Sequence, residues 1–209
     1  GTVTLGGPIG NSTALASLTA AAGTALTING GVVSTSGAQT YGGTTTFGTA
    51  TTLTAGSVGA TGAVTAIAGT LTLATGAGDA TLNNTTNNIG TVNVTSGANV
   101  SLYNSAALTV AGINATGLVD VRTHTGNLTL TTAAIATTST SPNAVTLVAD
   151  VASVPNSTGS GGNFINTGNV VITTGAGGAW RIYTGNPAGT VRGGLVETHH
   201  LTVNINHNP

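Results

Sequence analysis

Asp120, Arg122 and His124 form the one acid–guanidinium–imidazole grouping in the chain, set at alternate positions of a short run. If that run is extended, the three share one face while Val119, Val121 and Thr123 take the other. A polysaccharide-cleaving site would need such groups: a base or a carboxylate pair, with cations set against acidic sugars. Same-face neighbours on a strand lie roughly 7 Å apart, however, and no second carboxylate is near in sequence. Folding could bring only Asp79, Asp150 or Glu197 to join them. The expected reading is a solvated ion pair on an outer face, with ligand contact second and catalysis last.

Other groupings are weaker. His199, His200 and His207 with Glu197 have metal-ligating chemistry, but adjacent histidines on a strand face opposite ways and cannot easily share one ion. Surface histidines in a tail are the expectation, with no metal. Gly76 to Leu82 is similar to one calcium-binding nonapeptide, yet it occurs once and carries one acid where calcium takes six or more oxygens. Doubled threonines such as Thr51-Thr52, Thr85-Thr86 and Thr131-Thr132 are too irregular to predict a flat ice-binding stripe. Asn-x-Ser/Thr sites recur at Asn11, Asn83, Asn84, Asn93, Asn99, Asn114, Asn127 and Asn156, a number expected by chance where Ser and Thr are so abundant. Trp180, Arg181 and Tyr183 make the one aromatic-rich spot. They are expected to plug an open end or join subunits, ahead of stacking on a sugar. No catalytic residue and no cofactor is expected.

The elements that must position these residues are short strands. Leu108-Thr109-Val110, Leu118-Val119-Asp120-Val121 and Leu128-Thr129-Leu130 begin ten residues apart. Apolar and small polar residues alternate in them, and Gly or Asn separates them, which is strand period followed by turn chemistry. The 209 residues carry three Arg, four acids, no Lys and no Cys, so charge is 3 % of the chain and the net charge is −1. A helical domain normally spends about a quarter of its residues on charge, so the composition predicts an all-β domain. Three dispersed arginines cannot neutralise a phosphate backbone or an anionic bilayer, which argues against nucleic acid and membrane partners. No apolar run reaches 18 residues, so no membrane-spanning helix is expected.

Gly-Thr-Leu-Thr-Leu at 69–73, Gly-Thr-Val-Asn-Val at 90–94, Gly-Leu-Val-Asp-Val at 117–121 and Gly-Asn-Leu-Thr-Leu at 126–130 form an imperfect repeat. With aromatics at 3 % and small, repetitive apolar residues, a solenoid is favoured over the alternative, a β-sandwich with Gly-rich loops. Asn83, Asn84, Asn87 and Asn88 suit stacked asparagines at the corners of such coils. About 20 residues per coil and a spacing of about 4.8 Å predict about ten coils and a rod on the order of 50 Å. Residues 1–174 read as the repeat region, and 175–209 as a terminal coil or cap of the same domain.

Thr13 to Thr19, Ile28 to Val33 and Thr35 to Tyr41 resemble the repeats of filamentous-haemagglutinin-like large exoproteins, many of them exported by two-partner secretion. Trp180-Arg181-Ile182-Tyr183-Thr184-Gly185-Asn186-Pro187, with Gly193-Gly194-Leu195, is similar to a segment that often ends such tracts. The resemblance implies a right-handed parallel β-helix on a bacterial surface or outside the cell, here a repeat or stalk portion of something longer. The function expected is therefore non-enzymatic: an adhesin stalk or a self-assembling filament subunit, self-associating head to tail and contacting host or surface glycans. A carbohydrate-binding or carbohydrate-active β-helix is the alternative.

Overall fold

A computed structural model describes residues 1–153 and 161–195. Short strands follow one another, and each pairs in parallel with a strand one coil later. Thr2–Leu5 pairs with Ala25–Ile28, which pairs with Thr44–Phe47. Across the coil, Leu18–Ala20 begins an eight-strand stack that runs through Ala38–Tyr41, Ser57–Ala60, Ala80–Leu82, Val100–Asn104, Val119–Thr123, Val145–Ala149 and Trp180–Thr184. The other sheet has twelve strands and bends around the remaining sides. Its long strand Val64–Ala74 makes the bend, pairing with Thr44–Phe47 through Val64 and Thr65 and with Thr51–Thr54 through Leu71 to Ala74. The chain is a parallel β-solenoid. The sandwich alternative fails because that architecture rests on antiparallel pairing, whereas the pairs of both sheets here run parallel.

The stack is eight strands deep, not the ten coils expected from sequence. Early coils keep the expected length: Val100 pairs with Val119 and Leu108 with Leu128. Val119, however, pairs with Val145, and Val145 with Trp180, 26 and 35 residues later. Chain spent on these two excursions adds no rung. At about 4.8 Å per step the eight levels span roughly 35 Å.

Alternation in sequence becomes columns in space. Val58, Ala80, Val100, Val119, Val145 and Trp180 stand in register on the inner side of the eight-strand sheet, each 4 % exposed or less. Ala60, Leu82, Leu102, Val121, Leu147 and Ile182 make the next column. Burying each Val or Leu contributes about 1.5–3 kcal/mol, so small aliphatics suffice once they are stacked. One core cluster runs from Ala20 to Ile182; Trp180 and Ile182 belong to it, and Leu195 packs against it. At a corner the coils come too close for a side chain: a Cβ on Gly62 would collide with the Gly43 carbonyl.

Two asparagines are buried at consecutive corners. Asn87 Oδ1 accepts from the Val64 N–H at 2.8 Å, and its Nδ2 donates to the carbonyls of Leu82 and Tyr103. Asn104 Oδ1 accepts from the Ile89 N–H at 2.8 Å, and its Nδ2 donates to the Ala106 carbonyl at 2.9 Å. The expected asparagine stack is therefore only partly the one found. Asn87 belongs to it, but Asn83 and Asn88 are exposed and Asn84 is half-buried. The second member is Asn104, which closes its strand with an inward-facing side chain.

Nearer the Gly1 end the core holds a polar group as well. Gln39 Nε2 donates to the carbonyls of Val33 and Thr54, and the Tyr41 hydroxyl donates to Gln39 Oε1 at 2.9 Å. The Tyr41 ring meets Phe47 edge-on at 5.9 Å. Burial pushes the Tyr41 phenol far above its ordinary value of 10.0. The folded state holds the proton and the unfolded state releases it above about pH 10, so this part of the stability is complete below that pH and lost as pH rises beyond it. Absorbance titration should show Tyr41 ionising together with alkaline unfolding. Asn104→Ala should lower the unfolding free energy by about 2 kcal/mol or more, measured by denaturant titration, because the Ile89 N–H is left buried without an acceptor.

Candidate functional site: the outer face of the eight-strand sheet

Residues pointing outward from this sheet also form columns. Ser101, Asp120, Thr146 and Arg181 stand in one, and Tyr103, Arg122, Val148 and Tyr183 in the next. The inward residues Val119, Val121 and Thr123 lock the strand beneath, as the alternation predicts. Two of the three arginines and two of the three tyrosines of the chain thus fall within four adjacent rungs.

Asp120 and Arg122 form a two-pronged ion pair: Arg122 Nε donates to Asp120 Oδ1 and Nη2 to Oδ2, both at 2.8 Å. Their side chains are 35 % and 20 % exposed, so the pair is only partly solvated. The Asp120 hydrogen bonds raise the guanidinium pKa of Arg122, against the opposing effect of desolvation. His124 does not join them. It lies one residue beyond the strand, exposed, with Nδ1 3.0 Å from the Tyr103 hydroxyl. The trio read together in sequence is therefore a pair and a separate residue, because the strand ends at Thr123.

Trp180, Arg181 and Tyr183 are likewise divided. Trp180 turns inward over Val145 in the last rung of the sheet and is 4 % exposed. Arg181 and Tyr183 turn outward and stand half-buried. A groove of about 270 Å³ opens between them and the ion pair, lined by Leu118, Val119, Asp120, Arg122, Asn143, Thr146, Arg181 and Tyr183. Asn143 and Leu118 were invisible as site residues in sequence. Leu118 is exposed at 46 %, and Asn143 comes from the first excursion, between Thr137 and Val145. The one signal that could have revealed Asn143 is the lengthened interval between strand-like runs.

Asp120 is the one carboxylate lining the groove. Hydrolysis by paired carboxylates needs two, set about 5–10 Å apart. Asp79 is committed elsewhere, its Oδ1 accepting from the Asn99 backbone N–H and Nδ2 at 3.0 Å. Asp150 Oδ2 accepts from the Gly162 N–H at the base of the second excursion. Among the described residues no three His, Cys, Asp or Glu side chains gather to hold a metal ion. The histidine group at 197–207, and Asn156, lie outside the described residues. No helix of the described residues is long and apolar enough to cross a membrane.

The ion pair should matter little for stability. Asp120→Ala should cost about 1 kcal/mol or less, whereas Leu147→Ala, on the inner side of the next strand, should cost about 2–5 kcal/mol. Thermal and denaturant unfolding of the two variants side by side checks the contrast. If the losses are equal, the pair is a structural clamp.

No family model, curated protein or solved structure matches the chain.

Proposed function

We propose that this chain is a non-enzymatic structural rod, a stalk or filament portion of an extracellular or bacterial cell-surface protein. The observation that carries the reading is the open end of the solenoid. Thr2–Leu5 is hydrogen-bonded to Ala25–Ile28 and has no strand on its other edge among the described residues. Val3 stands in register with the buried Leu26 yet is 45 % exposed, and Leu15, bridged to the buried Thr35, is 41 % exposed. Among the described residues, core columns therefore continue to this end without a cover. An unpaired parallel edge over an open core is complementary to one more coil of the same kind. A net charge of −1 sets no barrier to that approach.

A stalk meets this end with a coil of its own polypeptide, and a filament meets it with a second copy. The role needs no reaction centre, and the smooth Thr- and Ala-rich coils supply length and stiffness. Export and adhesion rest on the resemblance to haemagglutinin-like exoproteins.

Sedimentation and electron microscopy of the purified chain across a concentration series test the filament form. Head-to-tail assemblies should appear at high concentration, and Val3→Glu, which places a charge on the open core, should abolish them without lowering the melting temperature. A wild-type chain that remains monomeric at millimolar concentration rejects self-assembly. Labelling of intact source cells with an antibody against the folded chain tests surface exposure, and signal only after lysis rejects it.

A further inference from the structure

We infer that the groove at Leu118, Asp120, Asn143, Thr146, Arg181 and Tyr183 is a binding site for the carboxylate-bearing end of a saccharide. The inference does not depend on the rod reading: the groove lies on the outer face of the eight-strand sheet, whereas head-to-tail stacking uses the strand edges at its two ends.

Three independent features converge there. Charge is the first. Of the six charged side chains in the described residues, Asp120, Arg122 and Arg181 line this one groove. Arg122 engages Asp120 through both prongs, so the pair is close to neutral. Among the described residues Arg181 makes no ion pair, and the described lining of the groove carries a net positive charge of one. A partly desolvated guanidinium of this kind favours a carboxylate, which it can hold by two parallel hydrogen bonds.

Architecture is the second. Coils elsewhere keep nearly constant length, and the two that lengthen are those that build this face. In repeat folds, insertions gather on the binding face because a regular rung has no means of making a wall. The first excursion sets Asn143 at the rim, and the second leaves the sheet directly after Ala149, one residue beyond the outward Val148. Val148 is only 3 % exposed although it points outward, standing in its column between Arg122 and Tyr183.

Lining chemistry is the third. An aromatic ring (Tyr183), an amide (Asn143), a hydroxyl (Thr146), a fixed carboxylate edge (Asp120) and an aliphatic shoulder (Leu118) surround the cation. Rings with one apolar face and a rim of hydroxyls match that mixture. An extended peptide would instead need a free strand edge or deep apolar pockets. The strands that carry Asp120 and Thr146 are paired on both sides, and although Trp180–Thr184 ends the sheet, its groove residues Arg181 and Tyr183 point from the sheet's outer face and not along its edge. A volume of about 270 Å³ falls just below the range of about 300–1,000 Å³ that encloses drug-sized ligands, so one or two sugar rings are the scale.

The test is a titration of the full chain, followed by amide chemical shifts, with a galacturonic acid disaccharide and with the neutral galactose disaccharide of the same linkage. The acidic sugar should bind, with shifts clustered on residues 118–122, 143–146 and 181–183, and should weaken as salt is raised. Arg181→Gln should weaken it at least tenfold, Arg181→Lys less, and both variants should keep the wild-type melting temperature. Arg192→Gln, outside the groove lining, is the control and should bind as wild type. Equal binding of the neutral sugar, unchanged binding by Arg181→Gln, or no saturable shift with either sugar overturns the inference.

Discussion

Everything in this molecule depends on coil-on-coil parallel pairing in a fixed register. Each strand of the eight-strand stack is only three to five residues long, far too short to persist alone. Paired above and below, it satisfies its backbone and adds two or three aliphatics to columns already begun. Register cannot drift, because a slip of one residue would turn every inward side chain outward. The same rule fixes the outer surface. Once Val121 must lie on Leu102, Arg122 must lie beside Tyr103 and Asp120 beside Ser101. The candidate site is thus a by-product of core packing, held by rungs whose inner halves are immobilised.

Polar side chains inside the core serve the same constraint at the corners. A turn removes backbone groups from the ladder, and burial without a partner would cost about 1–3 kcal/mol for each group. Asn87 supplies an acceptor to the first N–H of the strand Val64–Ala74, Asn104 to the second N–H of the strand Asn88–Ser96, and Asn166 to the Val170 N–H within its own turn. Gln39 bridges two coils through the Val33 and Thr54 carbonyls. These amides leave little freedom for the corner, so they are as much part of the register as the aliphatic columns.

Regularity and chemistry are separated along the solenoid. The first coils repeat closely and present Thr, Ala and Gly to solvent, while the last four rungs of the eight-strand sheet carry three of the six charged side chains of the described residues and two of the three tyrosines. The repeat is broken at the same place, where 26 and then 35 residues replace about twenty. A rung can aim a side chain but cannot enclose one, so any recognition on such a wall requires departure from the repeat.

Much was legible in the sequence, and for a physical reason: alternation and turn residues are local properties. All-β class, inward Val119 and Val121, outward Asp120 and Arg122, and the choice of solenoid over sandwich followed from period, composition and the scarcity of aromatics. Coil number did not, because an excursion and a rung consume chain alike. Nor did the partners across coils. Asn104 as the companion of Asn87, Arg181 across from Asp120, and Asn143 at their rim are separated by 17, 61 and 23 residues, and only stacking brings them together. Sequence determined which way each side chain would face. Tertiary register decided which side chains would meet.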